Sequence, residues 1–289
     1  MKTILFIGAG LILLVAMLNL LPAQAALEPS RYIPAFSEVR ADKGPVFKDG
    51  CLIFDDSVRS GNCVYGASDA NQVVVVFGDS HALHWTPALL NIAEQRRWQI
   101  VALLRANCTS AQVDTDQICN RWRENSLKRI KALGPDRVIL GTNTGPNVRV
   151  HNRVGNRLSR PASNRFLRRG MSKTIGDLLG NGARVTLIRD LILAPFEPSV
   201  CVAKNQLEPN RCAFRANRPE ALSFDQQAGR EFLQNRNFQI IDPLPKICPR
   251  RICSPVSGRY LKFRDSSHLS ASYAATLDRW LGSALERSR

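Results

Sequence analysis

Two segments far apart in the chain hold a serine, a histidine and an aspartate: Val73-Val74-Val75-Val76-Phe77-Gly78-Asp79-Ser80-His81 and Asp265-Ser266-Ser267-His268-Leu269-Ser270. A serine hydroxyl becomes a nucleophile when a base takes its proton, and the base needs an acid to fix its tautomer. Ser80, His268 and Asp265 supply that set. The sequence has four histidines, His81, His84, His151 and His268, so the choice of base is narrow. His81 adjoins Ser80, and neighbouring side chains on a helix or turn point apart, which leaves it poorly placed to take the Ser80 proton. His84 could pair with His81 on a metal, or be exposed, or cap the core. His151 lies among arginines and reads as solvated.

A third element, Gly141-Thr142-Asn143-Thr144, stands between nucleophile and base in chain order. An amide at a strand end can donate to a developing oxyanion, and Asn143 joins the Ser80 backbone N–H as a candidate donor. Each of these residues also has an ordinary reading. Asp79 or Ser80 can cap a helix, Asp265 can cap the last helix, and Asn143 can be a turn residue.

The elements that must position these groups follow from the apolar pattern. Strands are expected at Gln72 to Phe77, Gln99 to Leu104, Arg137 to Leu140, Arg184 to Ile188 and Phe238 to Ile241. Helices are expected near His81 to Arg97, Arg121 to Ala132, Asn164 to Leu179, Pro219 to Gln234 and Ser270 to Leu285. Strands that alternate with helices predict an α/β three-layer sandwich around a central parallel sheet, with ligands held at the carboxyl edge of the strands. Two long loops, Asn143 to Pro161 and Ala194 to Arg218, could border the site.

The chain divides into residues 1–25, 26–71 and 72–289. Lys2, the apolar run Ile4 to Leu21 and Pro22-Ala23-Gln24-Ala25 read as a secretory signal, with an uncleaved membrane anchor as the alternative. Residues 26–71 form a stapled lead-in to the main domain. All eight cysteines follow the signal, and their short gaps favour disulfides Cys51 to Cys63, Cys108 to Cys119, Cys201 to Cys212 and Cys248 to Cys253. Zinc is the rival reading, weakened because no C-x-x-C is present and the histidines lie apart from the cysteines.

The formal net charge is +16, one less without Lys2. An exported cationic protein meets acidic polysaccharide, lipopolysaccharide or a phospholipid surface, not nucleic acid. Seven arginines fall between Arg149 and Arg169, a stretch that could bind such a ligand or simply be solvated.

The order Gly78-Asp79-Ser80-His81, Gly141-Thr142-Asn143-Thr144, Asp265-Ser266-Ser267-His268 resembles the SGNH (GDSL-like) hydrolase superfamily. Gly-Asp-Ser-His with a late His-Leu-Ser and paired cysteines between is similar to the SGNH domain associated with acyltransferase-3 membrane proteins. The phrases Ala194 to Cys201 and Ile247 to Cys253 strengthen that narrower resemblance. It implies a flavodoxin-like fold and a periplasmic O-acetyltransferase or O-acetylesterase acting on cell-surface glycan, soluble or anchored to the inner membrane. It further implies Ser80 as nucleophile, His268 as base, Asp265 as orienting acid, and Ser80 N–H and Asn143 as oxyanion donors. No cofactor or metal is expected, and the implied partners are a glycan and a membrane acyltransferase. The chain departs from the family at Arg105-Ala106-Asn107-Cys108, which lacks the usual glycine, and at Thr144, where aspartate is common. A non-catalytic polysaccharide-binding or assembly protein on the same fold is the alternative.

Overall fold

The computed structural model describes residues 31–287 apart from 146, 147, 149, 152–154, 192 and 217–222. The signal or anchor, two of the seven arginines (Arg149 and Arg153) and the first residues of the helix expected at Pro219 to Gln234 lie outside the described residues.

The apolar runs form strands of one twisted sheet: β1 (Leu52–Ile53), β2 (Val64–Gly66), β3 (Gln72–Gly78), β4 (Trp98–Arg105), β5 (Arg137–Gly141), β6 (Arg184–Ile188) and β7 (Phe238–Ile241). The order is β1-β4-β3-β5-β6-β7, and these six strands are parallel. The fold class is therefore the expected α/β sandwich. Part of the lead-in enters the sheet as well. β1 pairs in parallel with the end of β4 and β2 runs antiparallel along the same edge, with Cys51 and Cys63 bonded between them. They cover backbone groups of β4 that would otherwise be an open edge.

Helices cover both faces: α1 (Ser80–Leu83), α2 (Thr86–Arg96), α3 (Gln117–Leu133), α4 (Arg160–Gly180), α5 (Phe224–Arg230), α6 (Ala271–Ala275) and α7 (Asp278–Glu286). Strand β3 shows why both faces are buried. Val74 and Val76 point into one core with Leu89 and Ile92 of α2 and Leu281 of α7. Val75 and Phe77 point into the other with Trp122 of α3, Met171 and Ile175 of α4 and Phe224 of α5. A strand buried on both sides reads as an unbroken apolar run, as Val73 to Phe77 does.

Two helices expected as continuous are broken. Pro87 has no N–H for the Leu83 carbonyl, and the Thr86 hydroxyl takes that carbonyl instead at 2.7 Å, so α1 and α2 separate at His84 and Trp85. In the last helix the Thr276 hydroxyl bonds the Tyr273 carbonyl at 2.7 Å and tightens the chain between α6 and α7. The stretch expected as a loop from Ala194 carries a short helix, Pro198–Lys204, and Phe214–Arg215 pairs with Ile252–Cys253. That pairing brings the Cys201–Cys212 and Cys248–Cys253 bonds together; with Cys108–Cys119, all four sequential disulfides are formed.

Candidate active site

The sheet order reverses between β3 and β5, and both strands end at the same carboxyl edge, the position where open α/β sheets hold ligands. Two glycines let these ends meet. A Cβ on Gly78 would lie 1.9 Å from the Gly141 carbonyl oxygen, and a Cβ on Gly141 would lie 2.8 Å from Ala82 Cα. No other residue fits either position, so β3 turns directly into α1 with Ser80 as its first residue.

Asp79 is buried beneath this turn. Its Oδ1 accepts the His81 N–H at 2.8 Å, which is the capping bond its residue type allows. Its Oδ2 accepts the Asn143 N–H at 2.9 Å and the Thr142 hydroxyl at 3.1 Å, so the same carboxylate ties the loop after β5 to the serine turn. Burial pushes the Asp79 carboxyl up, against the charge of His81 and the Asn143 and His81 N–H groups.

Ser80 Oγ lies 2.9 Å from His268 Nε2. On the other side of the ring, His268 Nδ1 lies 2.9 Å from Asp265 Oδ1 and 3.0 Å from Oδ2. A carboxylate only accepts, so the proton sits on Nδ1 and the Nε2 lone pair faces the serine hydroxyl. The loop is shaped for this contact: Asp265 Oδ1 also accepts the N–H groups of Ser267 at 2.9 Å and His268 at 2.8 Å. Asp265 does not cap the last helix, because Ser270 does, accepting the Tyr273 N–H at 3.3 Å.

Burial works to raise the Asp265 carboxyl, yet the His268 hydrogen bond and charge, the Ser267 N–H and Arg264 outweigh it and hold the group well below the usual carboxylate range. His268 is lowered, chiefly by burial and then by the charges of His81 and Arg264, against the pull of Asp265. The imidazole is thus neutral, as a base must be.

Asn143 Oδ1 accepts the Gly145 N–H at 2.7 Å, which orients the amide and leaves Nδ2 as its donor. Asn107 has φ 57°, the left-handed backbone that asparagine tolerates best after glycine. Asn107 thus makes the turn at the end of β4, where the chain lacks the family's usual glycine.

Several residues escaped the sequence reading. Asp190, two residues past β6, lies 2.6 Å from His81 Nδ1, and its Oδ2 accepts the Thr144 N–H at 2.8 Å and hydroxyl at 3.1 Å. Its place at a strand end was the signal that could have found it. Arg264 Nε lies 3.2 Å from Asp265 Oδ2, with its side chain buried. His84, expected to be exposed or to cap the core, is buried against Trp85. His151 is half-buried and bridges to Arg157. Arg160, Arg165, Arg168 and Arg169 sit on α4, not in a loop, and are exposed. Arg157 and Arg160 line a cavity of about 150 Å³ with Thr144 and Gly145 of the asparagine loop. Among the described residues no helix is long and apolar enough to cross a membrane.

A family model described as the SGNH domain fused to AT3 domains matches residues 50–281. The periplasmic domain of the lipopolysaccharide acetyltransferase of Salmonella ser. Paratyphi A superposes with a TM-score of 0.55 at 16% identity, over 83% of this chain and 87% of that one. A GDSL-like lipase from Bacteroides thetaiotaomicron VPI-5482 gives a TM-score of 0.43 at 11% identity, over 75% of this chain and 88% of that one. Among curated proteins no sequence matches this chain.

Proposed function

The chain belongs to the family of SGNH domains fused to AT3 domains, and from that premise we propose that it is an exported serine acyl-transfer enzyme that O-acetylates or deacetylates a cell-surface glycan through an acyl-Ser80 intermediate. The observation that carries the reading is the unbroken hydrogen-bonded line from Ser80 Oγ through both ring nitrogens of His268 to Asp265.

In this mechanism Ser80 Oγ attacks the acyl carbonyl carbon while His268 Nε2 takes the hydroxyl proton, and Asp265 stabilises the imidazolium that forms. The carbonyl oxygen becomes an oxyanion met by the Ser80 N–H and the Asn143 amide. His268 returns its proton to the departing oxygen as the tetrahedral intermediate collapses to acyl-Ser80. A glycan hydroxyl or water then attacks the acyl-enzyme with His268 again as base, which regenerates the serine. Transfer and hydrolysis share every step up to that attack, and the outcome depends on which acceptor the site holds and how well it excludes water.

The family's fusion to AT3 domains supports a membrane acyltransferase as partner and acyl source. The four disulfides support an oxidising compartment, the periplasm, with the N-terminal segment as signal or anchor. The formal charge of +16 and the exposed arginines of α4 support an anionic glycan.

The test is intact mass after incubation with 4-nitrophenyl acetate, together with labelling by a fluorophosphonate probe. In separate incubations the wild type should gain one acetyl group or one probe, and Ser80→Ala should gain neither. A wild type that the probe leaves untouched would replace this reading with the glycan-binding alternative.

A further inference from the structure

The site contains two histidine–aspartate couples, and the mechanism uses one. Beside Asp265–His268 lies His81–Asp190, both side chains almost wholly buried at 3% and 6% exposure, with 2.6 Å between Nδ1 and Oδ1. The His81 and His268 rings stand 4.5 Å apart between centroids. Thr144 holds the second oxygen of Asp190 with two donors, so that carboxylate is anchored from the side away from His81.

We propose that His81, held as a cation by Asp190, is a positioning residue of the active site: its buried charge faces His268 and keeps the catalytic imidazole in its basic form under mildly acidic conditions. The inference rests on the acyl-transfer reading of Ser80 and His268.

The charges around the two rings agree. Burial alone would deprotonate His81, but the charge and hydrogen bond of Asp190, with Asp79 and Asp265 behind them, push it up to about 9. The His81 ring is the one that lies beside His268, 4.5 Å between centroids, and its charge acts on that imidazole directly, lowering it. Arg264 adds a second positive charge against His268, while Asp265 opposes both. His84, with ring centroids 5.8 Å from His81 and 6.1 Å from His268, is held neutral by burial and by the same cations, so it contributes no charge. Asp225 of α5 faces Asp190 from the next element and is itself pushed up to about 6 by burial first, so it is partly neutral near that pH.

The sign follows directly. A neighbouring cation disfavours protonation of His268, so removing it raises the midpoint of that imidazole and the base is lost at a higher pH. For unit charges about 4.5 Å apart in a partly buried site the rise is about two to three pH units.

Imidazole NMR titration of Ser80→Ala against Ser80→Ala/His81→Gln reads the midpoint of His268 without any activity, and four histidines make assignment direct. His81 should remain an imidazolium through neutral pH, and His268 should titrate about two to three units higher in the double variant. In the catalytic background, the acidic limb of the labelling rate should move up by the same amount in His81→Gln. If His81→Gln fails to fold, the titration of His81 in Ser80→Ala still decides. A His81 that becomes neutral below pH 7, or a His268 midpoint and acidic limb that stay put, would overturn the proposal. Absence of Ser80 labelling in the wild type at every pH would instead overturn the acyl-transfer reading, and the NMR comparison would stand apart from it.

Discussion

Replacing Asp265 by asparagine separates the role of its charge from that of its shape. The amide is isosteric, and its oxygen can still accept the Ser267 and His268 N–H groups now bonded at 2.9 and 2.8 Å. Its NH2 group, however, would face His268 Nδ1, where a carboxylate oxygen now lies within 3.0 Å. A donor there favours the tautomer with the proton on Nε2, which then points at Ser80 Oγ and cannot accept its hydrogen. The variant also loses the anion that stabilises the imidazolium. With charge centres about 4 Å apart in a partly buried site, that attraction is about 4 kcal/mol, or about 10³ in rate. With the tautomer reversal, the expected loss in acylation rate is about 10³ to 10⁴. The assay is burst-phase release of 4-nitrophenol, with thermal unfolding as the control for folding. A folded Asp265→Asn protein within tenfold of wild type would refute the assignment. Stability carries an independent sign. The Asp265 carboxyl is depressed on folding, so its contribution is full above the unfolded value of about 3.9 and is lost as pH falls below it. The difference in stability between wild type and Asp265→Asn should therefore shrink below about pH 4.

Asn143→Ala should lower kcat by about 10² to 10³ with little change in KM, because an oxyanion donor acts on the transition state; an equal rise in KM would instead make Asn143 a binding residue. Gly78→Ala should cost about 3 kcal/mol or more in chemical unfolding, since its Cβ would meet the Gly141 carbonyl at 1.9 Å; a variant as stable as wild type would refute the close approach of β3 and β5. Binding to an acidic glycan should weaken steadily between low and physiological salt, as screening of the exposed arginines on α4 demands. Salt-independent binding would remove charge from the interaction.

What could be read along the chain was whatever depends on local pattern. The apolar run Val73 to Phe77 announces a doubly buried strand because both faces need apolar side chains. The cysteines bond in sequential pairs because short gaps leave each sulfur near its neighbour. Helix breaks were harder to see. The Pro87 break depends on which carbonyl the Thr86 hydroxyl can reach, and the Thr276 break depends on a hydroxyl choosing a backbone partner. Asp265 had two local readings with the same residue type, a helix cap and an acid for His268. Ser270 takes the cap, which leaves Asp265 to the imidazole.

Residue types and order therefore named the candidate nucleophile, base, acid and amide, since each of these roles demands particular functional groups whatever the fold. Their distances came from elsewhere. Ser80 and His268 are 188 positions apart; the sheet sets Ser80 at its carboxyl edge, and the loop held by the Phe263–Leu269 bridge and the Ala194 N–H to Ser266 carbonyl bond brings His268 to it. Asp190, 109 positions from the His81 it meets, lies in none of the motifs. Burial of that pair is a property of the packed molecule, because a charge becomes a lasting influence on its neighbour only where water no longer screens it.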